Sequence, residues 1–493
     1  MPAMPSQPAA PARSHAQLII EWLGGRRLAE VESALERMPE DHPLHRAAEA
    51  LVDAADSDDP VLRSEGLSAL FAGVVEPLND GFTPAGRALY AHLMARIVWR
   101  VAMRVPALLA ALAEVQVSTL AGLEARYRQA RSLSGQLPAG PVSRVVVLSR
   151  VTIGADILLT SLALQRLHQR FPQAELVLLG DGKLSGLFNG LPQVRVRPLS
   201  YARRGPLRER LSSWLSLLDA LHAEAAQLVL APDSRLDQLG VLPVCHDQDR
   251  YLLWENLQPE NQPALSLSVL FDRWLCARLG CPPDPAALPA LGFDERTRAL
   301  HERLAAALGP RPLVAVKLDH GGNPAKALPR AAEVALLARL RARGWRVLLD
   351  RGFGAEELAN SDSLLQALGW RAIDLDESGA SLGLGTDQII AGSLQDAEVV
   401  RFHGSIAGWA AGCACSSLAV SYDSVGHHLA AALGIPVVVA FTGHIDADFP
   451  IAWQPRGRAS VTLITIATAE KHLPQSWRAL MDALPAPATP PGS

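Results

Sequence analysis

Residues 143–180, SRVVVLSRVTIGADILLTSLALQRLHQRFPQAELVLLG, decide the fold. A short run, RVVVLS (144–149), leads into a tight turn with Gly154, then an apolar helix beginning near Asp156, then a second short run, ELVLLG (175–180). Apolar runs of this length that do not alternate with polar residues read as strands buried on both faces, and a helix between two of them reads as a parallel crossover.

The same alternation continues outward. VRVRPL (194–199) and QLVLAP (227–232) extend the first set of strands, and CPPDPAALPAL (281–291) is too proline-rich for an element interior and reads as a linker. A helix (294–309), PLVAVKL (312–318), a helix from 329, WRVLLD (345–350), a helix near 355–368, AEVVRF (397–402), SLAVSYD (417–423) and PVVVAF (436–441) then repeat the pattern. The reading is α/β: two Rossmann-like doubly wound domains in tandem, at 141–290 and 291–470, with ligand chemistry expected at the carboxyl ends of the strands. Residues 14–140 show apolar spacing of three and four without a convincing strand, and are expected to form an all-helical N-terminal extension. Residues 1–13 read as a disordered leader, and 471–493 as a C-terminal helix with a disordered tail.

Composition narrows the function classes. The chain has 493 residues, 49% of them hydrophobic and 19% charged, and its apolar runs stop well short of the roughly 18–20 residues that span a bilayer. With 46 basic against 50 acidic residues and a formal charge of -4, no global field favours nucleic acid or an anionic membrane. The first residues lack a positive segment followed by an apolar one, so a cytoplasmic location is expected. Five cysteines, among them Cys276/Cys281 and Cys413/Cys415, lack metal spacing and read as free thiols, so no metal is expected. Lysine is rare, at 183, 317, 326 and 471 only, and two of the four fall within one short stretch.

Three segments carry chemistry. In the first, Thr152, Gly154 and Asp156 stand at a strand-to-helix turn, where backbone N–H groups hold anions or substrate and where Asp156 serves either as a functional carboxylate or as a first-turn acid favoured by the helix dipole. In the second, VAVKLDHGGNPAKALPR, Lys326 precedes a helix start and reads either as a phosphate ligand or as a surface lysine; the spacing is not that of a P-loop. In the third, SLAVSYDSVGHHLAAALGIPVVVAF (417–441), Asp423 and Ser424 stand at the start of an alanine-rich helix. His427 and His428 point about 100° apart on that helix, so one lining a site and one packing is the expected division, with a structural pair as the alternative.

Together these segments resemble the lipopolysaccharide heptosyltransferases, glycosyltransferase family 9, which have the GT-B fold. The resemblance rests on Ile153-Gly154-Ala155-Asp156 continuing through Thr160 to Ala163-Leu164, on Ala325-Lys326-Ala327-Leu328-Pro329, and on Asp423-Ser424-Val425-Gly426-His427-His428-Leu429-Ala430-Ala431-Ala432-Leu433-Gly434-Ile435-Pro436. It covers about residues 144–480. It implies an inverting, metal-independent bacterial glycosyltransferase without an obligatory cofactor, of the lipopolysaccharide or cell-surface polysaccharide type, cytoplasmic and in one reading peripheral at the inner face of the cytoplasmic membrane. The sugar, heptose in one reading, comes from a nucleotide-sugar donor, ADP-linked by preference, and goes to a glycan or glycolipid acceptor. Asp156 would be the base. Lys326, Glu356, Asp423, Ser424, Val425, Gly426 and His428 would meet the donor, and Thr152 and Gly154 the acceptor. Three departures stand out: Ala155 is an extra residue, Val425 replaces a glycine, and Ala327-Leu328 replaces an Arg-Trp pair. Lys317, Asp319 and His320 are candidates for replacement donor contacts.

Other readings compete. A GT-B-like protein that binds nucleotide or glycan without transfer, and a nucleotide-sugar epimerase, share the architecture. Gly379-Ala380-Ser381-Leu382-Gly383 fits GxSxG and, with His320-Gly321-Gly322, Asp423 and His427, suggests a serine hydrolase, but no strand directly precedes Ser381. His92, Arg96, Arg100 and Arg104 form a basic stripe that reads as a solvated face or as a docking surface for an acidic partner or the inner membrane. Arg203 and Arg204, with Arg208 and Arg210, read either as contacts for an acidic acceptor glycan or as a surface cluster.

Overall fold

The structure, a computed structural model, describes the chain except for residues 1–10, 133–136, 139, 151, 203–204, 245–249, 260–261, 285, 321–322, 353, 378–393, 395, 445 and 488–493. The leader before Pro11, Arg203, Arg204 and the Ser381 motif therefore lie outside the described residues. The chain divides into two compact units, one of residues 1–151, 169–181 and 197–282, the other of residues 152–168, 182–196 and 283–493. The segment 141–290, expected as one domain, contributes to both.

The first unit opens with helices α1 (Pro11–Leu23), α2 (Leu28–Glu36), α3 (Pro43–Ala55), α4 (Pro60–Leu70), α5 (Glu76–Asp80), α6 (Pro84–Ala102), α7 (Pro106–Glu114) and α8 (Leu120–Ser132). Proline stands in the first turn of α3, α4, α6 and α7, where its missing N–H has no intrahelical partner to lose. The Asp59 and Thr83 side chains accept the N–H groups that start α4 and α6. Strands β1 (Arg144–Leu148), β2 (Glu175–Gly180), β3 (Val194–Pro198), β4 (Leu228–Pro232) and β5 (Tyr251–Trp254) follow, ordered β3-β2-β1-β4-β5. Val146 of β1 stands level with Val177 of β2 and Val229 of β4 in parallel register.

The helices are not an appendage. One continuous core runs from Ile19, Leu44 and Leu51 through Leu89 and Val101 to Trp214, Val146, Val177 and Val229. Polar groups seal the same junction: the Arg87 guanidinium of α6, 1% exposed, donates to Asp233 Oδ1 at 2.9 Å and Asn256 Oδ1 at 2.5 Å. Arg150 reaches the other Asp233 oxygen at 2.9 Å, and Tyr127 and Arg131 of α8 hold Glu255 at 2.6 and 2.8 Å. The basic stripe that runs along α6 to Arg104 is paired with acids, with Arg100 and Arg104 still 33% and 40% exposed. Arg100 pairs with Asp53 at 2.7 Å, Arg104 also reaches Asp53, Arg96 pairs with Glu40, and His92 lies 2.9 Å from Glu124. Acids of α3, of α8 and of the turn before α3 thus pair with each member. Arg208 and Arg210 are also engaged, the first with Asp56 and Asp58, the second over the Phe71 ring at 5.0 Å. Among the described residues no helix is long and apolar enough to cross a membrane.

The second unit holds β6 (Leu313–Lys317), β7 (Arg346–Asp350), β8 (Ile373–Asp376), β9 (Val399–His403), β10 (Leu418–Tyr422), β11 (Val437–Phe441) and β12 (Val461–Thr465), ordered β12-β11-β10-β6-β7-β9-β8, with all neighbours parallel. The α/β class with two parallel sheets and a helical N-terminal region is thus the one the sequence predicts. The helices Ile153–Ala155 and Ser161–Arg170 begin in this unit, where Gly154 packs closely on the His428 ring: a Cβ there would lie 3.0 Å from His428 Cδ2 and 3.5 Å from Val425 Cα. Chain order reverses between the adjacent strands β6 and β10, and the crevice at the carboxyl ends of two such strands is where a doubly wound sheet binds ligands.

Candidate functional site

Both strands at the reversal deliver charged residues to their carboxyl ends. β6 ends in Lys317, followed by Asp319 and His320; β10 is followed by Asp423 and Ser424. Lys326 comes from the loop after β6, where Asn323 caps a single 3-10 turn, Pro324–Lys326. Its ammonium lies 2.5 Å from Asp423 Oδ2 and 3.4 Å from the Asp423 carbonyl oxygen, with the Phe449 ring centroid 5.6 Å away. The loop is fixed from behind by Lys471, whose Nζ donates to the carbonyls of Ala325 and Ala327 at 3.0 Å each. Gly443, at φ +73°, packs against the same backbone, and a Cβ there would meet Ala325 C at 2.5 Å.

The helix Val425–Ala432 starts beside this lysine. Ser424 Oγ accepts the Gly426 N–H at 3.4 Å, and His427 Nδ1 accepts the Ser424 N–H at 3.1 Å, a reciprocal cap. Gly426 is needed where it stands, since a Cβ would lie 2.7 Å from Ser421 Oγ and 2.9 Å from Lys317 Cδ. Lys317 lies beneath this turn, 7% exposed, paired with Asp350 and lying 3.6 Å from Asp319. Burial alone would push its pKa down, but the Asp350 and Asp319 carboxylates outweigh burial and hold it above the ordinary lysine value. Lys317 is therefore an internal strut rather than a replacement donor contact. His427 and His428 are both buried, at 0% and 5% exposure, with ring centroids 3.9 Å apart. Burial lowers the pKa of each, and the Lys326 charge adds to the effect. The structure thus buries both histidines, where the sequence assigned one to a site wall.

A cavity of about 270 Å³ opens beside this site, between the ends of β6 and β7. Leu318, Leu328, Leu349 and Leu364 give it apolar walls; His320, Arg330, Glu333, Asp350, Glu357, Asn360 and Ser361 give it a polar rim. His320 Nδ1 and Ser361 Oγ, both from lining residues, are buried with no hydrogen-bond partner among the described residues. Glu333, 7% exposed, accepts the Tyr422 hydroxyl at 2.8 Å and pairs with Arg330 at 2.7 Å. Burial raises its pKa, with Tyr422 and Arg330 opposing. The acid on the cavity wall after β7 is Glu357, not the exposed Glu356: Glu357 turns back to accept the Gly354 N–H at 3.0 Å, while its neighbour points about 100° away.

Thr152 is exposed, Gly154 is half-buried, and Asp156 is fully buried with its Oδ1 accepting the Thr160 hydroxyl at 2.7 Å. Residues Asp156–Thr160 form a π turn, closed by the Ser161 N–H on the Asp156 carbonyl. A π turn absorbs one extra residue within a helix. The apolar helix that follows buries Leu162, Ala163, Leu164 and Leu167. The sequence missed Glu333, Asp350, Glu357, Ser361 and Lys471. A signal existed for Asp350, which closes a strand at its carboxyl end, and for Glu333, an acid among the apolar positions Ala332, Leu336 and Leu337. Among the described residues no group of three His, Cys, Asp or Glu side chains is placed to hold a metal.

These features define a doubly wound α/β protein whose reversal point carries a lysine, a capped helix start and a half-polar cavity. No family model and no curated protein matches the sequence. Among solved structures the chain is similar to a glycosyl transferase family 9 protein from Veillonella parvula DSM 2008, at 13% identity, 67% of this chain, 89% of that one and a TM-score of 0.48. It is also similar to E. coli heptosyltransferase WaaC with ADP (14% identity, 69% and 98% coverage, TM-score 0.47) and to E. coli ADP-heptose lps heptosyltransferase II (16%, 69% and 98%, 0.44).

Proposed function

We propose that the chain is a glycosyltransferase that moves a sugar from a nucleotide-sugar donor, ADP-linked by preference, to a glycan or glycolipid acceptor with inversion and without a metal. The observation that carries this reading is Lys326, held by Asp423 beside the Val425–Ala432 helix start and next to the cavity with His320 Nδ1 and Ser361 Oγ on its wall. The leucine walls suit the flat face of a base, and the Glu357 carboxylate in the same lining can accept hydrogen bonds from ribose hydroxyls. A leaving diphosphate gathers charge as the glycosidic bond breaks, and a fixed ammonium with aimed N–H dipoles stabilises that charge most where it develops. Lys326 fills that role, with Ser424, Val425 and Gly426 supplying the helix start.

Asp156 is the base in this reading. It takes the acceptor hydroxyl proton once the Thr160 bond is exchanged for the acceptor and the turn at Thr152–Gly154 opens. Its burial supports a second reading, a protein that binds nucleotide without transferring sugar. Calorimetry with ADP, UDP, GDP and dTDP on the wild type and Lys326→Ala tests both. Selective ADP binding that the substitution weakens is expected, and donor consumption then separates transfer from binding. Absence of binding to all four would overturn the proposal.

A further inference from the structure

A chain of polar groups crosses the helical segment and joins α3, α6 and α8. Arg96 Nη2 lies 2.9 Å from His45 Nδ1, His45 Nε2 lies 2.9 Å from His92 Nε2, and His92 Nδ1 lies 2.9 Å from Glu124 Oε1. His45 is 2% exposed, so its ring nitrogens depend on these partners rather than on bulk water.

Elementary chemistry gives the chain a direction. A guanidinium only donates and a carboxylate only accepts. His45 Nδ1 therefore accepts from Arg96, the His45 proton sits on Nε2 and is donated to His92 Nε2, and His92 carries its own proton on Nδ1 toward Glu124. Every member is satisfied with both rings neutral.

The same atoms hold a second pattern. The Glu40 carbonyl oxygen lies 3.2 Å from His45 Nδ1, an acceptor that the first pattern leaves unused by that nitrogen. If the pair gains one proton, His92 Nε2–H donates to His45 Nε2 and His45 Nδ1–H donates to the Glu40 carbonyl. Arg96 then faces an N–H in place of a lone pair. It keeps the Glu40 carboxylate, which is 86% exposed, while its buried Nε has no partner among the described residues.

The surrounding charges decide which ring takes the proton. Burial, Arg96 and His92 push His45 down to about 4, and the His42 ring stands 6.2 Å away on the same side. Burial alone would raise the Glu124 carboxyl, but the His92 hydrogen bond and the Arg128 and Arg96 charges outweigh it and hold that carboxyl below its ordinary value. An ionised Glu124 thus stands ready beside His92, and the added charge rests there.

We propose that His45 and His92 form a proton-uptake switch: on acidification the pair takes one proton, held at His45 Nδ1, the His45 Nε2 proton passes to His92 Nε2, and Arg96 loses its bond to His45. One positive charge is added, on His92, and His45 stays neutral with its tautomer inverted. The switch is independent of the glycosyl-transfer reading.

The test is two-bond proton–nitrogen NMR of the full chain labelled with 15N-histidine, which reports the tautomer and charge of each ring, from about pH 8 to about pH 5. His45→Gln and His92→Gln identify the two signals, and Glu124→Gln removes the carboxylate without touching either ring. At the alkaline end the His45 proton is expected on Nε2 and the His92 proton on Nδ1. As the pH falls, His92 should gain its charge and His45 should change tautomer at one shared midpoint, and Glu124→Gln should move that midpoint to lower pH for both rings together. A His45 proton on Nδ1 at the alkaline end, a His92 that stays neutral to the acid end, a His45 tautomer that does not follow His92, or a Glu124→Gln effect on His92 alone would each overturn the proposal.

Discussion

Lys326 Nζ sits 2.5 Å from Asp423 Oδ2 although 97 positions separate the residues, and both stand at the carboxyl ends of adjacent strands. The pair aims one cation at a capped helix start. A charge-assisted hydrogen bond contributes about 1.5–3 kcal/mol, so Lys326→Ala is expected to weaken ADP binding by roughly 10- to 100-fold. Asp423→Asn keeps the cation and should weaken it less. Titration calorimetry on both variants gives the order, and equal affinity for Lys326→Ala and wild type would remove the lysine from the site.

Glu357 lines the cavity and Glu356 does not. Glu357→Gln keeps an acceptor for the Gly354 N–H but loses the charge that would hold two ribose hydroxyls. It should weaken ADP binding by about tenfold, while Glu356→Gln stays within about twofold. The reverse order would restore the residue that the sequence favours.

The exchange of one glutamate for its neighbour shows where sequence reading stops. Strands β1, β2, β6, β7, β10 and β11 are legible because burial on both faces leaves apolar runs with nothing else to do. β8, IDLD, reads as loop because its aspartates look solvated, yet Arg401 of β9 holds Asp374 at 2.6 and 2.8 Å. β5 and β12 sit at sheet edges, where short or half-buried strands carry a weak pattern. Within the site, Lys326, Asp423 and Ser424 are legible because strand, loop and helix follow in order. Lys471 is not, since its partners Ala325 and Ala327 lie almost 150 positions away and only folding joins them. The acids paired with the α6 stripe are hidden from the sequence for the same reason, since they come from elsewhere in the chain.

Gly443 and Gly154 separate two kinds of close approach. At Gly443 a Cβ would meet main-chain atoms at 2.5–2.8 Å in a left-handed conformation, whereas at Gly154 it meets the His428 ring edge at 3.0 Å. Gly443→Ala should cost about 2–3 kcal/mol and also disturb ADP binding through the Lys326 loop; Gly154→Ala should cost about 1 kcal/mol. Urea denaturation checks the order.

Asp237 gives a pH signature. Burial pushes its carboxyl up to about 7, against the Tyr251 hydroxyl and the Gly240 N–H, which pull it down. The folded state then binds more protons than the unfolded chain from about pH 4 to 7, so this group's contribution is lost as pH rises through that window, a few kcal/mol as an order of magnitude. His45, pushed down to about 4 by burial and by Arg96, acts oppositely and adds stability as pH rises from about 4 to 6.5. The wild-type slope is therefore a sum, and the comparison must be with Asp237→Asn. Stability of the variant relative to wild type should climb between pH 5 and 8 in urea midpoints, and a pH-independent difference would show that Asp237 is ionised throughout.

Arg87 and Arg100 stand on the same helix with opposite expectations. Arg87 is 1% exposed, and its removal leaves Asp233, 2% exposed, with one guanidinium fewer at the junction of helices and sheet. Breaking a buried pair from one side costs about 3–5 kcal/mol, while an exposed pair contributes roughly 0–1 kcal/mol. Arg87→Ala is thus expected to lower stability by several kcal/mol. Arg100→Ala, at 33% exposure, should change it by less than about 1 kcal/mol. If the helices were an independent domain, Arg87→Ala would leave the sheet's own unfolding untouched. With one continuous core the whole first unit should shift together, so amide hydrogen exchange in β1 must lose protection in step with exchange in α6.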